Sequence, residues 1–118
     1  MSPGHSRKIL SVSRSTPLLI GRNDMLALAG YSVSSPRQPL DAVRLLEHDG
    51  YLAVLIGHSV YPEEARVIAA KATEMGVPTI FVYLGRVAIP EWADLAVETD
   101  SGIPQLLNFL AQQYRIAS

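Results

Sequence analysis

Leu52-Ala53-Val54-Leu55-Ile56 is the stretch on which the fold turns. Its residues are all apolar, so as a strand it has no solvent face. Both sides must be covered, as at the centre of a parallel sheet. The flanking segments supply the cover. Upstream, a helix starts near Pro39, buries Leu40, Val43 and Leu46, and stops at His48-Asp49-Gly50. Downstream, Gly57-His58-Ser59 leaves the strand and Pro62-Glu63-Glu64 opens another helix, with acids where the positive helix end favours them. Ala65, Ile68, Ala69, Ala72 and Met75 form its apolar stripe, and Gly76 and Pro78 end it. Thr79-Ile80-Phe81-Val82-Tyr83 is the next strand.

The outer segments repeat the alternation. Lys8-Ile9-Leu10-Ser11-Val12 is a first short strand. Thr16-Pro17 opens a helix to about Ala29, with Leu19, Leu26 and Ala29 at helical spacing and Gly30 as its stop. Tyr31-Ser32-Val33 is a brief second strand, followed by the Ser34-Ser35-Pro36 loop. Gly85 to Trp92 is short and broken by Pro90, which argues against a full helix. Leu95-Ala96-Val97 is a fifth strand. The last helix spans roughly Ile103 to Tyr114, with Ile103, Leu106, Leu107, Leu110 and Tyr114 on one face. Five strands alternating with helices imply right-handed crossovers and a parallel sheet. At this length the expected architecture is α/β: a flavodoxin-like doubly wound five-stranded parallel sheet, order 2-1-3-4-5, with a shortened fourth helix.

Composition bounds the function. The chain has 118 residues, 48% of them hydrophobic, which suits one core and one domain. Residues 1–7 read as a loose tail and 8–118 as the domain. Ten basic against eleven acidic residues give a net charge of -1, which argues against nucleic acid or an anionic membrane as partner. With no cysteine, a disulfide scaffold, a thiolate metal site and a catalytic thiol are excluded. No apolar run approaches the ~20 residues of a membrane span. The polar start, Met1 to Lys8, does not read as a secretory signal. The expectation is a cytoplasmic protein.

A site in such a sheet belongs at the carboxyl ends of strands one and three, where the winding reverses. That nominates Ser13 and Arg14, then Gly57, His58 and Ser59, with Tyr83, Gly85, Arg86, Thr99 and Asp100 nearby. Over about residues 8–115 the chain resembles the receiver domain of bacterial two-component response regulators, the chemotaxis type included. The resemblance is carried by Ile9-Leu10-Ser11-Val12, Ala29-Gly30-Tyr31-Ser32-Val33, Tyr51 through Ile56, Gly76-Val77-Pro78-Thr79-Ile80 and Ala93-Asp94. It implies a phosphorylation site whose parts are missing. Ser13 and Arg14 stand where the family has its magnesium-binding acids. Gly57 matches the phosphoacceptor aspartate, Tyr83 the serine or threonine ending strand four, and Thr99 the lysine ending strand five. Asp100 matches the following proline and Ala96 the aromatic switch residue. The stretch from Tyr83 to Thr99 is shorter than the family's. Phosphoryl transfer needs a nucleophilic oxygen and a neutralising cation. Glycine provides no nucleophile, and Arg14 would repel magnesium. The chain therefore resembles a degenerate pseudo-receiver, and the resemblance implies a stand-alone signalling module that acts by protein contacts, is not an enzyme, and has no cofactor.

Other readings attach to the same residues. Gly57-His58-Ser59-Val60-Tyr61 approaches a nucleophile elbow, but Tyr61 stands where that motif needs glycine. His5, His48 and His58 are far apart in sequence, with no acidic cluster to make a metal site. Arg14, His58 and Arg86 form a possible anion pocket at helix N-termini, the basis of an alternative small-ligand or anion-binding function. In the bland reading, Arg14 and Arg86 are solvated or pair with Asp100 or Glu98. The Glu63-Glu64 pair reads as helix-end electrostatics. Ile89 and Trp92, with Gln105, Asn108 and Gln112 as a weakly charged outer stripe, mark a possible interface for a regulatory protein or a homodimer. Burial over the sheet end is the commoner fate for Trp92.

Overall fold

The computed structural model describes residues 7–117. The tail expected over residues 1–7, with His5, lies outside the described residues apart from Arg7. In chain order the elements are β1 (Lys8–Val12), α1 (Thr16–Leu28), β2 (Ser32–Ser34), α2 (Asp41–His48), β3 (Ala53–Gly57), α3 (Pro62–Glu74), β4 (Thr79–Tyr83), β5 (Leu95–Glu98) and α4 (Ile103–Ala117). All pairings are parallel and the strand order is β2-β1-β3-β4-β5, the doubly wound order expected from the sequence. The central strand β3 is buried along its whole length, as its continuous apolar run requires.

Alternation along the strands divides the core. Leu10, Val12, Val54 and Ile56 face α2 and α3, packing with Leu46, Ile68, Ala69 and Ala72. Ile9, Leu55, Ile80, Val82 and Val97 face α1 and α4, packing with Leu26, Leu106 and Leu110. Two helices end on glycines in left-handed backbone, Gly30 at φ 98° and Gly76 at φ 72°, where a Cβ would be strained. In each, the next residue turns its N–H back onto the helix, Tyr31 to the Leu26 carbonyl and Val77 to the Ala72 carbonyl, and buries its side chain.

Some details differ from the expectation. The second helix starts at Asp41, because Pro39 and Leu40 are used in the turn that enters it. Leu40 is consequently exposed and adds nothing to the core. Met75 caps α3 beyond its last turn and is exposed too. Ala29 lies past the end of α1, also exposed. The shortened fourth helix is absent altogether. Residues 84–94 cross from β4 to β5 without a helix, with Gly85 at φ 76° and Pro90, which opens one isolated turn to Ala93, within the segment. Both break helical propagation, and the segment is too short to recover from either.

Candidate functional site

The loops leaving β1 and β3 are laced together at the carboxyl ends of the strands. Ser13 and Ser59 share a hydroxyl hydrogen bond of 3.0 Å, and the Arg14 backbone N–H donates to Ser59 Oγ at 2.9 Å. Ser13 Oγ also accepts from the Ser15 backbone at 3.0 Å, tightening the turn into α1. The Arg14 guanidinium lies 4.2 Å from the centre of the Tyr61 ring and grips the Glu64 carboxylate with both oxygens at 2.8 Å from Nη2. Arg14 thus pairs with an acid in the first turn of α3. The Asp100 and Glu98 partners considered from sequence are not the ones it takes, and Glu64 has a partner besides the helix end.

Beneath this lacing sits Arg22, which sequence reading missed. It projects from α1 onto the sheet face occupied by Ser11, and its residue is only 8% exposed. Nε donates to Ser11 Oγ at 3.0 Å and Nη2 to the Val12 carbonyl at 3.1 Å. Among the described residues no carboxylate pairs with it, and Nη1 has no hydrogen-bond partner. Burial pulls its pKa down to about 10, since the charged form loses its hydration. The local sequence makes the space. Ser11 is the one polar residue of β1 turned to this face, and Gly57 ends β3 without a side chain. A Cβ built on Gly57 would lie 3.5 Å from Arg22 Nη1 and 3.4 Å from Ser13 Oγ. The signal was present in the spacing: Leu19, Arg22 and Leu26 are successive members of one helical stripe. An arginine inside an apolar stripe is a residue in need of an explanation.

Arg22 and Gly57 form part of the wall of a cleft of about 390 Å³ between α1, the turn after β3, and the start of α4. Leu18, Met25, Val97, Ile103 and Leu106 make its walls largely apolar. Ser13, His58, Thr99 and Asp100 lie around it, so the structure brings these predicted mouth residues together. Arg86 does not join them: it is exposed on residues 84–94. The expected convergence of Arg14, His58 and Arg86 is therefore not formed. Arg14 is held by Glu64, and Arg86 stands apart. Tyr83 is half-buried and stacks on Phe81, and its carbonyl accepts the Thr99 N–H at 2.7 Å. Trp92 is half-buried, edge-on to Phe81, on the α3 side of the sheet. Ile89 is 52% exposed beside it. Gln105, Asn108 and Gln112 are exposed on α4, which covers the opposite face. The proposed interface residues thus flank the edge strand β5 from two sides and do not form one patch. Among the described residues no three His, Asp or Glu side chains cluster as metal ligands, and no helix is long and apolar enough to cross a membrane.

Solved structures of similar shape decide what this fold is. One is the N-terminal domain of a response regulator/sensory box/GGDEF three-domain protein from Carboxydothermus hydrogenoformans, at TM-score 0.76 and 18% identity, covering 92% of this chain and 94% of that one. The fold of the present chain is similar to that of CheY-like receiver domains. A CheY-like receiver domain from Methanospirillum hungatei JF-1 superposes at TM-score 0.75 and 17% identity, over 95% of this chain and 96% of that one. The receiver domain of a sensor histidine kinase from Pseudomonas aeruginosa PAO1, which holds a magnesium ion in its active-site cleft, matches at TM-score 0.72 and 20% identity, over 92% of this chain and 98% of that one. No family model and no curated protein sequence matches the chain. In this receiver fold, the mouth carries a buried guanidinium.

Proposed function

We propose that the protein is a receiver-like signalling module that works through protein contacts and is not phosphorylated on aspartate. The observation that carries the reading is the Arg22 guanidinium beside Gly57. The family's chemistry needs a carboxylate at that strand end and a divalent cation next to it. Gly57 has no side chain to accept a phosphoryl group. A fixed positive charge within 3.5 Å of where its Cβ would stand opposes any cation there. Glu64, an acid close to the mouth, is occupied by Arg14. On the same reading the protein carries out no phosphoryl transfer at this strand end.

Contacts then carry the output. Leu84, Val87 and Ile89 on residues 84–90 are exposed apolar side chains, and they lie where the family's fourth helix would otherwise sit. We place the partner surface there, continuing along edge strand β5, with a regulatory protein or a second copy of the chain as occupant. The phosphorylation half of the reading is tested by incubating the protein with magnesium and acetyl phosphate, followed by intact mass measurement. The expected result is an unchanged mass. A stoichiometric, acid-labile phosphoryl adduct overturns the proposal.

A further inference from the structure

We infer that the cleft between α1, the turn after β3 and the start of α4 binds a small organic monoanion, a carboxylate with an apolar body, whose charge is met by Arg22. The cleft shares Arg22 and Gly57 with the signalling proposal but not its contact surface on residues 84–90, and ligand binding and phosphorylation are read by separate measurements.

Arg22 is a buried charge with no counter-charge among the described residues. Position 22 falls in a helical stripe with Leu19 and Leu26, where leucine or methionine would fill the same space without desolvating a charge. Arg22 instead places a guanidinium on two neutral oxygens, Ser11 Oγ and the Val12 carbonyl. Two neutral acceptors orient the group but leave its charge unbalanced in a poorly hydrated place. The unused edge, Nη1, lies on the Gly57 side, and Gly57 and Arg22 both line the cleft. An arriving carboxylate would supply the missing counter-charge and hydrogen bond together.

The surroundings select the ligand. A cleft of about 390 Å³ lies at the small end of ligand-binding cavities. Its walls, Leu18, Met25, Val97, Ile103 and Leu106, suit a hydrocarbon body. Two acids also border it. Glu98 is engaged by the Ser101 hydroxyl at 2.9 Å, and Asp100 is exposed. They disfavour negative charge at the outer end, so the anionic group belongs at Arg22. Among the described residues no second arginine or lysine lines the cleft, because Arg14 is held by Glu64 and Arg86 lies outside it. A phosphate dianion therefore lacks the charge it needs, and a monoanion does not.

The experiment titrates the full chain with hexanoate, 1-hexanol and inorganic phosphate, following amide shifts by NMR. Hexanoate is expected to bind saturably at millimolar concentration or below, shifting Ser13, Gly57 and Leu106. Hexanol is expected to bind at least tenfold more weakly, and phosphate not to saturate. Arg22→Met should fold, as judged by circular dichroism, and lose hexanoate affinity at least tenfold. Gly57→Asp, which offers Nη1 an internal carboxylate, should lose it as well and serves if Arg22→Met fails to fold. Equal affinities for hexanoate and hexanol, tighter binding of phosphate, absence of saturable hexanoate binding, or wild-type affinity in either folded variant overturns the inference.

Discussion

Gly57 and Arg22 are best considered together, because each determines what the other tolerates. A Cβ at Gly57 would meet only ordinary contacts, at 3.4 and 3.5 Å, so the space admits a side chain. In Gly57→Asp the new carboxylate would lie beside the Arg22 guanidinium, and the pair would neutralise a buried charge. We expect the variant to fold, to remain unphosphorylated with magnesium and acetyl phosphate, and to melt above wild type at pH 7. Pairing lowers the aspartate pKa in the folded state, so the gain is present above the ordinary value of about 4 and disappears as pH falls through the lower, folded one. Thermal melts at pH 7 and pH 2.5 check it: a gain undiminished at pH 2.5 contradicts the ion pair. Arg22→Met tests the same charge from the other side. Burial holds the Arg22 pKa at about 10, below its ordinary value, so the charged form is penalised at every pH below 10. Removing it should raise the unfolding free energy by about 1–3 kcal/mol at pH 7, with less gain above pH 10. Denaturant titration measures this, and a destabilised Arg22→Met would show that the two hydrogen bonds outweigh the desolvation.

Elements are joined at two places where one small feature carries the junction. Gly102 precedes α4, and its N–H donates to the Glu98 carbonyl at 2.9 Å. A Cβ there would stand 2.7 Å from the Glu98 carbonyl oxygen and 2.8 Å from its nitrogen, backbone atoms that cannot rotate aside. Gly102→Ala must push α4 off the end of β5, and we expect a loss of about 1–3 kcal/mol in a denaturant midpoint. At the opposite end of the sheet, Asp94 Oδ2 accepts from the Thr79 N–H at 2.8 Å and its hydroxyl at 3.1 Å, while Thr79 Oγ1 also reaches the Trp92 carbonyl at 2.8 Å. This clamp starts β4 and β5 in register without a helix between them. Asp94→Ala leaves the buried Thr79 N–H without its acceptor, while the hydroxyl keeps the Trp92 carbonyl, and should cost about 1–3 kcal/mol. An unchanged melting temperature would mean that the strand pairing alone sets the register.

Across the whole molecule, loss of the helix between β4 and β5 leaves an edge strand flanked by exposed apolar residues. Leu84 and Ile89 are 44% and 52% exposed, and among the described residues no strand pairs with the outer side of β5. An uncovered edge of this kind invites association. Trp92 was a natural anchor to name from sequence, yet it is committed to Phe81, so the free contact groups are its neighbours. Under the contact proposal, light scattering at rising concentration should detect a dimer that Ile89→Asp disperses, while Gln112→Lys on the far side of the sheet has little effect. A monomer at high concentration would leave only a different protein as occupant.

The sequence by itself determined the layers. A strand apolar at every position needs cover on both faces, and the Pro and Gly signals around α3 and α1 left few ways to provide it, so the order 2-1-3-4-5 was legible before any coordinates. It also determined that Gly57 can hold no phosphoryl group, since that is a matter of residue chemistry. Tertiary structure alone decided which charges meet. Arg14 finds Glu64 and Arg22 finds Ser11 across separations of 50 and 11 residues in the chain. Local patterning is blind to such pairs, because periodicity records which face a residue occupies and not what the neighbouring element places opposite it. The helical stripe through Leu19 and Leu26 placed position 22 inward. Only the packed sheet, with Ser11 and Gly57 small beneath it, let an arginine remain there as a charge with one side still open.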